Sequence, residues 1–159
     1  MTQKISITFK EFLESGKLNG ITVGSTMDDV LMNWGEPEAK TVPYPKRGKS
    51  KGSAVAWKYG VVEVGFFLGS VQYFGFSLTY SELPEWLHIQ GYFPSMGSTL
   101  NTFLEYLDNE KITHSIYKPL TFDPEFPALL LGIGATAVLF NNKTIASIYF
   151  SETTQLLQS

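Results

Sequence analysis

The chain has 159 residues, a formal net charge of −3 and no cysteine. Because 43% of the residues are hydrophobic and 14% are aromatic, the composition is that of a folded globular protein and excludes a disordered chain. The lack of cysteine excludes disulfides, thiolate nucleophiles and cysteine-ligated metals, and an acidic balance without a basic stripe argues against nucleic acid as the main partner.

The N-terminal residues contain no apolar stretch of signal-peptide length, and no later segment reaches the length of a membrane helix. We therefore expect a cytoplasmic protein with no membrane partner. The length is sufficient for one good hydrophobic core or for two small fused cores.

Two helices are predicted near the N-terminus, a short one over residues 9–15 and a second one that Gly35 and Pro37 end. Each opens with a threonine followed three residues later by an acidic residue. In such a capping box, the two side chains satisfy each other's unpaired backbone N–H groups. The two pairs are Thr8 with Glu11 and Thr26 with Asp29.

Three strand-like runs, rich in β-branched and aromatic residues, follow a polar loop over residues 40–53. Glycines separate the runs and predict an antiparallel meander. Alternation within the second run directs Val62, Val64 and Phe66 toward the helices and leaves Glu63 on the other face. The three runs are residues 54–59, 61–68 and 71–79.

The same order of elements is predicted in the second half of the chain. Residues 81–88 are a short helix candidate, and Gly97-Ser98-Thr99 opens a further helix. A proline-containing loop over residues 116–127 leads to three more strand-like runs. These runs are residues 128–133, 135–141 and 144–151.

Gapless matches between the two halves indicate an internal repeat. A shift of 74 residues sets Glu11-Phe12-Leu13 on Glu85-Trp86-Leu87, and a shift of 73 sets Gly24-Ser25-Thr26 on Gly97-Ser98-Thr99. We therefore predict an α+β fold of two tandem units, residues 1–80 and 81–159, each a helix pair over a small antiparallel sheet. The 74-residue shift also matches Gly60 with Gly134, Val64 with Val138, Phe66 with Phe140 and Phe76 with Phe150.

The segment from Gly24 to Pro37 has a Gly-x-Thr opening and a Gly-x-Pro close, and an aromatic strand at residues 56–59 follows it. It resembles the helix motif of the SmpA/OmlA outer-membrane lipoprotein family and of the β-lactamase inhibitor protein family. The resemblance to the inhibitors implies two small sheets joined edge to edge into a concave platform that grips another protein. The chain is also similar to small bacterial immunity proteins that neutralise toxins.

No residue pattern points to catalysis, to a metal or to a cofactor. The two histidines, His88 and His114, have neither metal-ligand nor His-x-x-x-His spacing, and we expect ordinary surface or packing roles for them. The glycines around Gly134 precede a strand, whereas a dinucleotide-binding turn must open a helix.

The aromatic residues of the strands supply the argument for binding. Alternation leaves Glu63, Phe67, Tyr73 and Tyr149 on the sheet face opposite the core, and exposed aromatic side chains favour interface hot spots. Trp57 and Tyr59 share one face of their strand, and alternation does not decide which face that is.

The sequence therefore predicts a non-catalytic protein-binding module, of inhibitor or immunity type, that uses the sheet face and the loops at residues 40–53 and 116–127. A second hypothesis is a small-ligand-binding protein or an enzyme with a site between the two units. A third is a homodimer in which two sheet faces bury each other.

Overall fold

The computed structural model describes residues 4–41, 54–78, 82–94, 97–140 and 143–152. Within these ranges the chain is a mixed α+β fold with three α-helices, one eight-stranded antiparallel sheet and one small two-stranded parallel sheet. The helices are α1 (Phe9–Ser15), α2 (Met27–Trp34) and α3 (Leu100–Asn109). The strands are β1 (Ile5–Thr8), β2 (Ala39–Thr41), β3 (Ala54–Tyr59), β4 (Val62–Phe67), β5 (Ser70–Ser77), β6 (Leu87–Gln90), β7 (His114–Ile116), β8 (Leu129–Leu131), β9 (Ala135–Leu139) and β10 (Ile145–Ser151). No helix within the described ranges is long and apolar enough to cross a lipid bilayer.

All three α-helices begin directly after the threonine that the sequence indicates, which caps each of them. Both predicted capping boxes are present, and in the second the Thr26 hydroxyl accepts a hydrogen bond from the Asp29 amide at 3.1 Å. Thr99 caps α3 by accepting a hydrogen bond from the Thr102 amide at 3.3 Å. These local hydrogen bonds satisfy backbone donors that a helix start leaves unpaired, which is why the starts could be predicted.

The eight-stranded sheet has the strand order β2-β3-β4-β5-β10-β9-β8-β7. Strands from residues 39–77 therefore form one half of the sheet, and strands from residues 114–151 form the other half. The two sets meet where β5 pairs with β10, in a register that sets Gly75 opposite Tyr149 and Phe76 opposite Ile148.

One face of this sheet packs against the helices around an aromatic core. Val62, Val64 and Phe66 are buried there, as alternation predicted. The ring of Phe12 on α1 lies 4.8 Å from the ring of Phe76 on β5 and 5.1 Å from that of Phe150 on β10. Helix α1 thus packs across the junction between β5 and β10.

The predicted helix at residues 81–88 is wrong for the described part of that segment. Leu87 to Gln90 form strand β6, which pairs in parallel with β1. Leu87 and Ile89 are buried while His88 and Gln90 are exposed, and this alternation is that of a half-buried strand. A prediction from the segment alone missed the pairing because its partner, β1, lies some 80 residues earlier in the chain.

The gapless 74-residue match also fails for one pair of strands. Val64 of β4 is buried against the helices, whereas Val138 of β9 pairs with Ser147 on the opposite face. A one-residue offset exchanges the two faces of a strand, so the matched valines are not structurally equivalent. The predicted loop at residues 40–53 begins later than expected because Lys40 and Thr41 belong to β2, and its remainder lies outside the described residues.

Candidate binding face of the sheet

The side of the large sheet opposite the helices is its open face. Three adjacent strands bring Glu63, Tyr73 and Tyr149 together on it, because Glu63 and Tyr149 both pair with Gly75, from β4 and β10 respectively. The described residues of its central part are Glu63, Gly65, Tyr73, Gly75, Thr136, Val138, Ser147 and Tyr149.

Glu63 is the centre of the polar contacts on the open face. The Tyr73 hydroxyl donates a hydrogen bond to Oε2 of Glu63 at 2.5 Å, and the Lys58 ammonium lies 3.5 Å from Oε1. The Glu63 side chain is only 15% exposed, so both contacts are partly shielded from water. A partly desolvated charge strengthens its hydrogen bonds and holds the phenol in one orientation.

The two tyrosine rings pack edge to face, with their centroids 5.1 Å apart. Burial raises the pKa of both phenols above their ordinary value, and the negative charge of Glu63 raises them further. Both hydroxyls therefore remain protonated hydrogen-bond donors throughout the physiological range.

Glycine at position 65 makes room for the Tyr73 ring. A Cβ atom there would overlap the ring, because it would lie 1.9 Å from the Cε1 atom of Tyr73. The ring thus lies directly against the backbone of β4, in the space that a side chain would fill. This packing explains why Tyr73 is part-buried on the face opposite the three described α-helices.

A hollow of about 380 Å³ lies beside this cluster, over the junction of β5 and β10. Glu63, Tyr73 and Tyr149 line it together with residues that sequence reasoning missed. Those residues come from strands β9 and β10, from the bulge in β5 and from the loop before β8, and only the tertiary structure brings these segments together. They are Gln72, Leu120, Thr136, Val138, Ser147 and Ser151.

The predicted loop at residues 116–127 begins one residue later, because Ile116 ends β7, and the loop over residues 117–128 is held by its own hydrogen bonds. The Thr121 hydroxyl donates to the Tyr117 carbonyl at 2.8 Å and accepts from the Ala128 amide at 3.0 Å. The loop brings Leu120 to the hollow, and two residues later it presents Phe122 with 91% of its surface exposed. A large apolar side chain is thus held in solvent by an ordered loop.

Trp57 and Tyr59 do not belong to the open face, and the prediction that they contribute to binding is corrected. They are 4% and 3% exposed, and cross-strand pairing sets them beside Val64 and Val62 on the core side. Tyr59 donates a hydrogen bond to the Gly35 carbonyl at 2.8 Å, which satisfies its buried hydroxyl. Phe67, by contrast, is 38% exposed at the end of β4.

Comparison with known proteins adds no assignment: no family model, curated protein or solved structure matches this chain. The site is therefore interpreted from its own geometry.

The histidines lie away from the hollow. His88 Nδ1 is 3.0 Å from the Ser6 hydroxyl, and His114 Nε2 is 2.8 Å from an Asp108 carboxylate oxygen. Within the described ranges, no group of three His, Cys, Asp or Glu side chains is arranged to hold a metal ion.

A second hollow of about 390 Å³ lies on the core side, at the end of α2. Trp34, Tyr59 and Trp86 contribute to its lining, but their rings pack on one another, with 5.0 Å between the centroids of the two tryptophans. These rings are almost completely buried and offer little surface to a ligand. The open face is therefore the stronger candidate.

Proposed function

We propose that this chain is a non-catalytic protein-binding module, of inhibitor or immunity type, that binds its partner with the open face and the loop over residues 117–128. On the sequence grounds given above, the same proposal assigns it to the bacterial cytoplasm. A protein interface of standard size buries about 800 Å² on each partner, more than the hollow alone offers, so the sheet face and the loop are needed together.

The observation that carries the proposal is the exposure of Phe122 on the ordered loop that also brings Leu120 to the hollow. Phe122 is held by a hydrogen-bonded loop, and the tyrosines of the hollow are fixed by Glu63 and by each other. Rigid aromatic side chains lose little conformational entropy on binding, which is why they dominate interface hot spots.

The tandem-repeat architecture remains part of this proposal, and corresponding hydrogen bonds support it. In the first unit the Val71 amide donates a hydrogen bond to the Ser25 carbonyl. In the second unit the Ile145 amide donates to the Ser98 carbonyl, and these two residues lie 74 and 73 positions after Val71 and Ser25. In the same way, the amide of the first residue of α2 donates a hydrogen bond to the Gly69 carbonyl, and that of the first residue of α3 donates to the Lys143 carbonyl. Two such units joined through β5 and β10 would form the concave platform that the resemblance to β-lactamase inhibitors implies.

The contents of the hollow favour binding over catalysis. Serine and threonine hydroxyls line the hollow. A histidine could activate such a hydroxyl as a general base, but neither histidine is among the described lining residues. Glu63 already accepts a hydrogen bond from a tyrosine and lies beside a lysine. This arrangement is typical of a recognition surface with fixed donors and acceptors.

A small-ligand site is the alternative function, because the hollow lies at the junction of the two proposed units. Its volume of about 380 Å³ falls at the lower end of the range of about 300–1,000 Å³ that ligand pockets occupy. Its position on an otherwise open sheet favours a protein, which can cover the loop and the hollow at once. The homodimer hypothesis predicts instead a concentration-dependent size in sedimentation experiments with the purified chain.

The test is affinity capture from lysate of the source cells with tagged wild-type and variant chains, followed by mass spectrometry. One near-stoichiometric protein should be captured by the wild type and lost with Phe122→Ser and with the double variant Glu63→Gln, Tyr73→Phe. Met32→Ser is the matched control because Met32 is 71% exposed on α2, on the other side of the sheet. Capture that survives both open-face changes but fails in the control would refute the proposed surface.

A further inference from the structure

The lining of the open-face hollow is electrostatically one-sided. Glu63 is the one carboxylate among its described lining residues, and no lysine, arginine or histidine lines it. The remaining polar groups are hydroxyls and one amide. An anion placed in the hollow would meet the Glu63 carboxylate and no cation among the described lining residues, whereas a cation would be attracted.

Glu63 retains capacity for a further hydrogen bond. A carboxylate offers about four lone-pair sites, and Tyr73 and Lys58 account for one contact on each oxygen. Lys58 belongs to β3, on the side of β4 away from β5, and its 3.5 Å distance is longer than a charge-assisted hydrogen bond of about 2.8 Å. A second cation can therefore approach Glu63 from the hollow.

The walls of the hollow suit a cation that carries a hydrocarbon stem. Leu120 and Val138 supply apolar surface, and Tyr73 and Tyr149 supply two aromatic rings next to the carboxylate. Lysine and arginine bury their aliphatic stems along such surfaces, and their charged ends are attracted to aromatic faces.

We propose that the hollow is a socket for one basic side chain, arginine or lysine, that the partner protein inserts between Leu120 and the two tyrosines to meet Glu63. This inference rests on the proposed function and adds the chemistry of the partner. Lys58 then partly neutralises the socket, and its removal should strengthen cation binding.

The test uses N-acetyl-arginine amide as the probe and the neutral N-acetyl-citrulline amide, which has nearly the same shape, as its control. Both are titrated to about 50 mM into isotopically labelled protein while amide resonances are followed by NMR. The arginine probe should shift the amides of Gly65, Gly75 and Tyr149, and the citrulline probe should leave them unchanged. Millimolar affinity is expected for a single side chain without the remaining interface.

Two variants determine the sign of the charge effect. Glu63→Gln keeps an acceptor for the Tyr73 hydroxyl but removes the charge, and it should weaken binding of the arginine probe by about tenfold or more. Lys58→Met should strengthen it several-fold. Equal binding of both probes, or unchanged affinity in Glu63→Gln, would overturn the socket. Partner capture that is lost with Phe122→Ser but unaffected by Glu63→Gln would refute the socket and leave the protein-binding function standing.

Discussion

The Gly65→Ala substitution tests the arrangement of the open face most directly. The added Cβ would lie 1.9 Å from Cε1 of Tyr73, so the ring must leave its place against β4. Its displacement breaks the hydrogen bond to Glu63, and a bond to a charged group contributes about 1.5–3 kcal/mol. The ring also loses its edge-to-face contact with Tyr149, a contact of about 0.5–1.5 kcal/mol.

Together these losses predict that Gly65→Ala lowers the free energy of unfolding by about 2–4 kcal/mol. In a Tyr73→Ala background no ring remains to be displaced, and the same substitution should be neutral or slightly stabilising because alanine restricts the unfolded chain more than glycine does. The measurement is a double-mutant cycle by urea unfolding, monitored by tryptophan fluorescence. Additive effects, with the same cost of Gly65→Ala in both backgrounds, would show that the ring does not lie where the reasoning requires.

Three further predictions concern the packing, pH response and capping of the fold. Gly75→Ala should destabilise the protein by about 3 kcal/mol or more and should not be rescued by truncating Tyr73, because the new Cβ would lie 2.1 Å from the backbone oxygen of Ile148. Urea midpoints in the two backgrounds measure this, and rescue would contradict it. Near pH 10 the unfolded chain releases its tyrosine protons, whereas folded Tyr149 retains its proton because its pKa is raised. The contribution of protonated Tyr149 to the free energy of unfolding is therefore fully present below pH 10 and is lost as the pH rises further. Tyr149→Phe should therefore reduce the alkaline fall in unfolding free energy by about 1.4 kcal/mol per pH unit, and an unchanged slope in alkaline urea titrations would refute the assignment. Thr26→Ala should lower stability by about 1 kcal/mol in thermal or urea unfolding whereas Thr26→Ser should not, and equal losses would exclude a capping role for the hydroxyl.

The open face could be predicted only in part, and the reason is strand pairing. Alternation along β4 correctly separated Glu63 from the core residues Val62 and Val64. The same argument could not orient Trp57 and Tyr59, because alternation states which residues share a face but not which face the helices cover. Their pairing with Val64 and Val62 decided it.

The neighbours of Glu63 needed longer-range information. Lys58 contacts Glu63 across the β3–β4 hairpin. Leu120 and Val138 line the hollow from a loop and a strand that lie more than fifty residues after Glu63 in the chain. No local pattern marks such residues. Gly65 carried the one usable signal, since a glycine within an otherwise bulky strand often marks a close approach by another group.

The sequence by itself determined the helix starts, the strand runs of the main meander and the class of the fold. These features depend on hydrogen bonds and side-chain periods within a few residues, as the caps at Thr8, Thr26 and Thr99 demonstrate. Only the tertiary structure decided that residues 87–90 form a strand beside β1, that β5 pairs with β10, and that one hollow unites four strands with a loop. Each of these features depends on contacts between distant segments, whose free energy is gained only when the chain has folded and which therefore leave no mark in a local stretch of sequence.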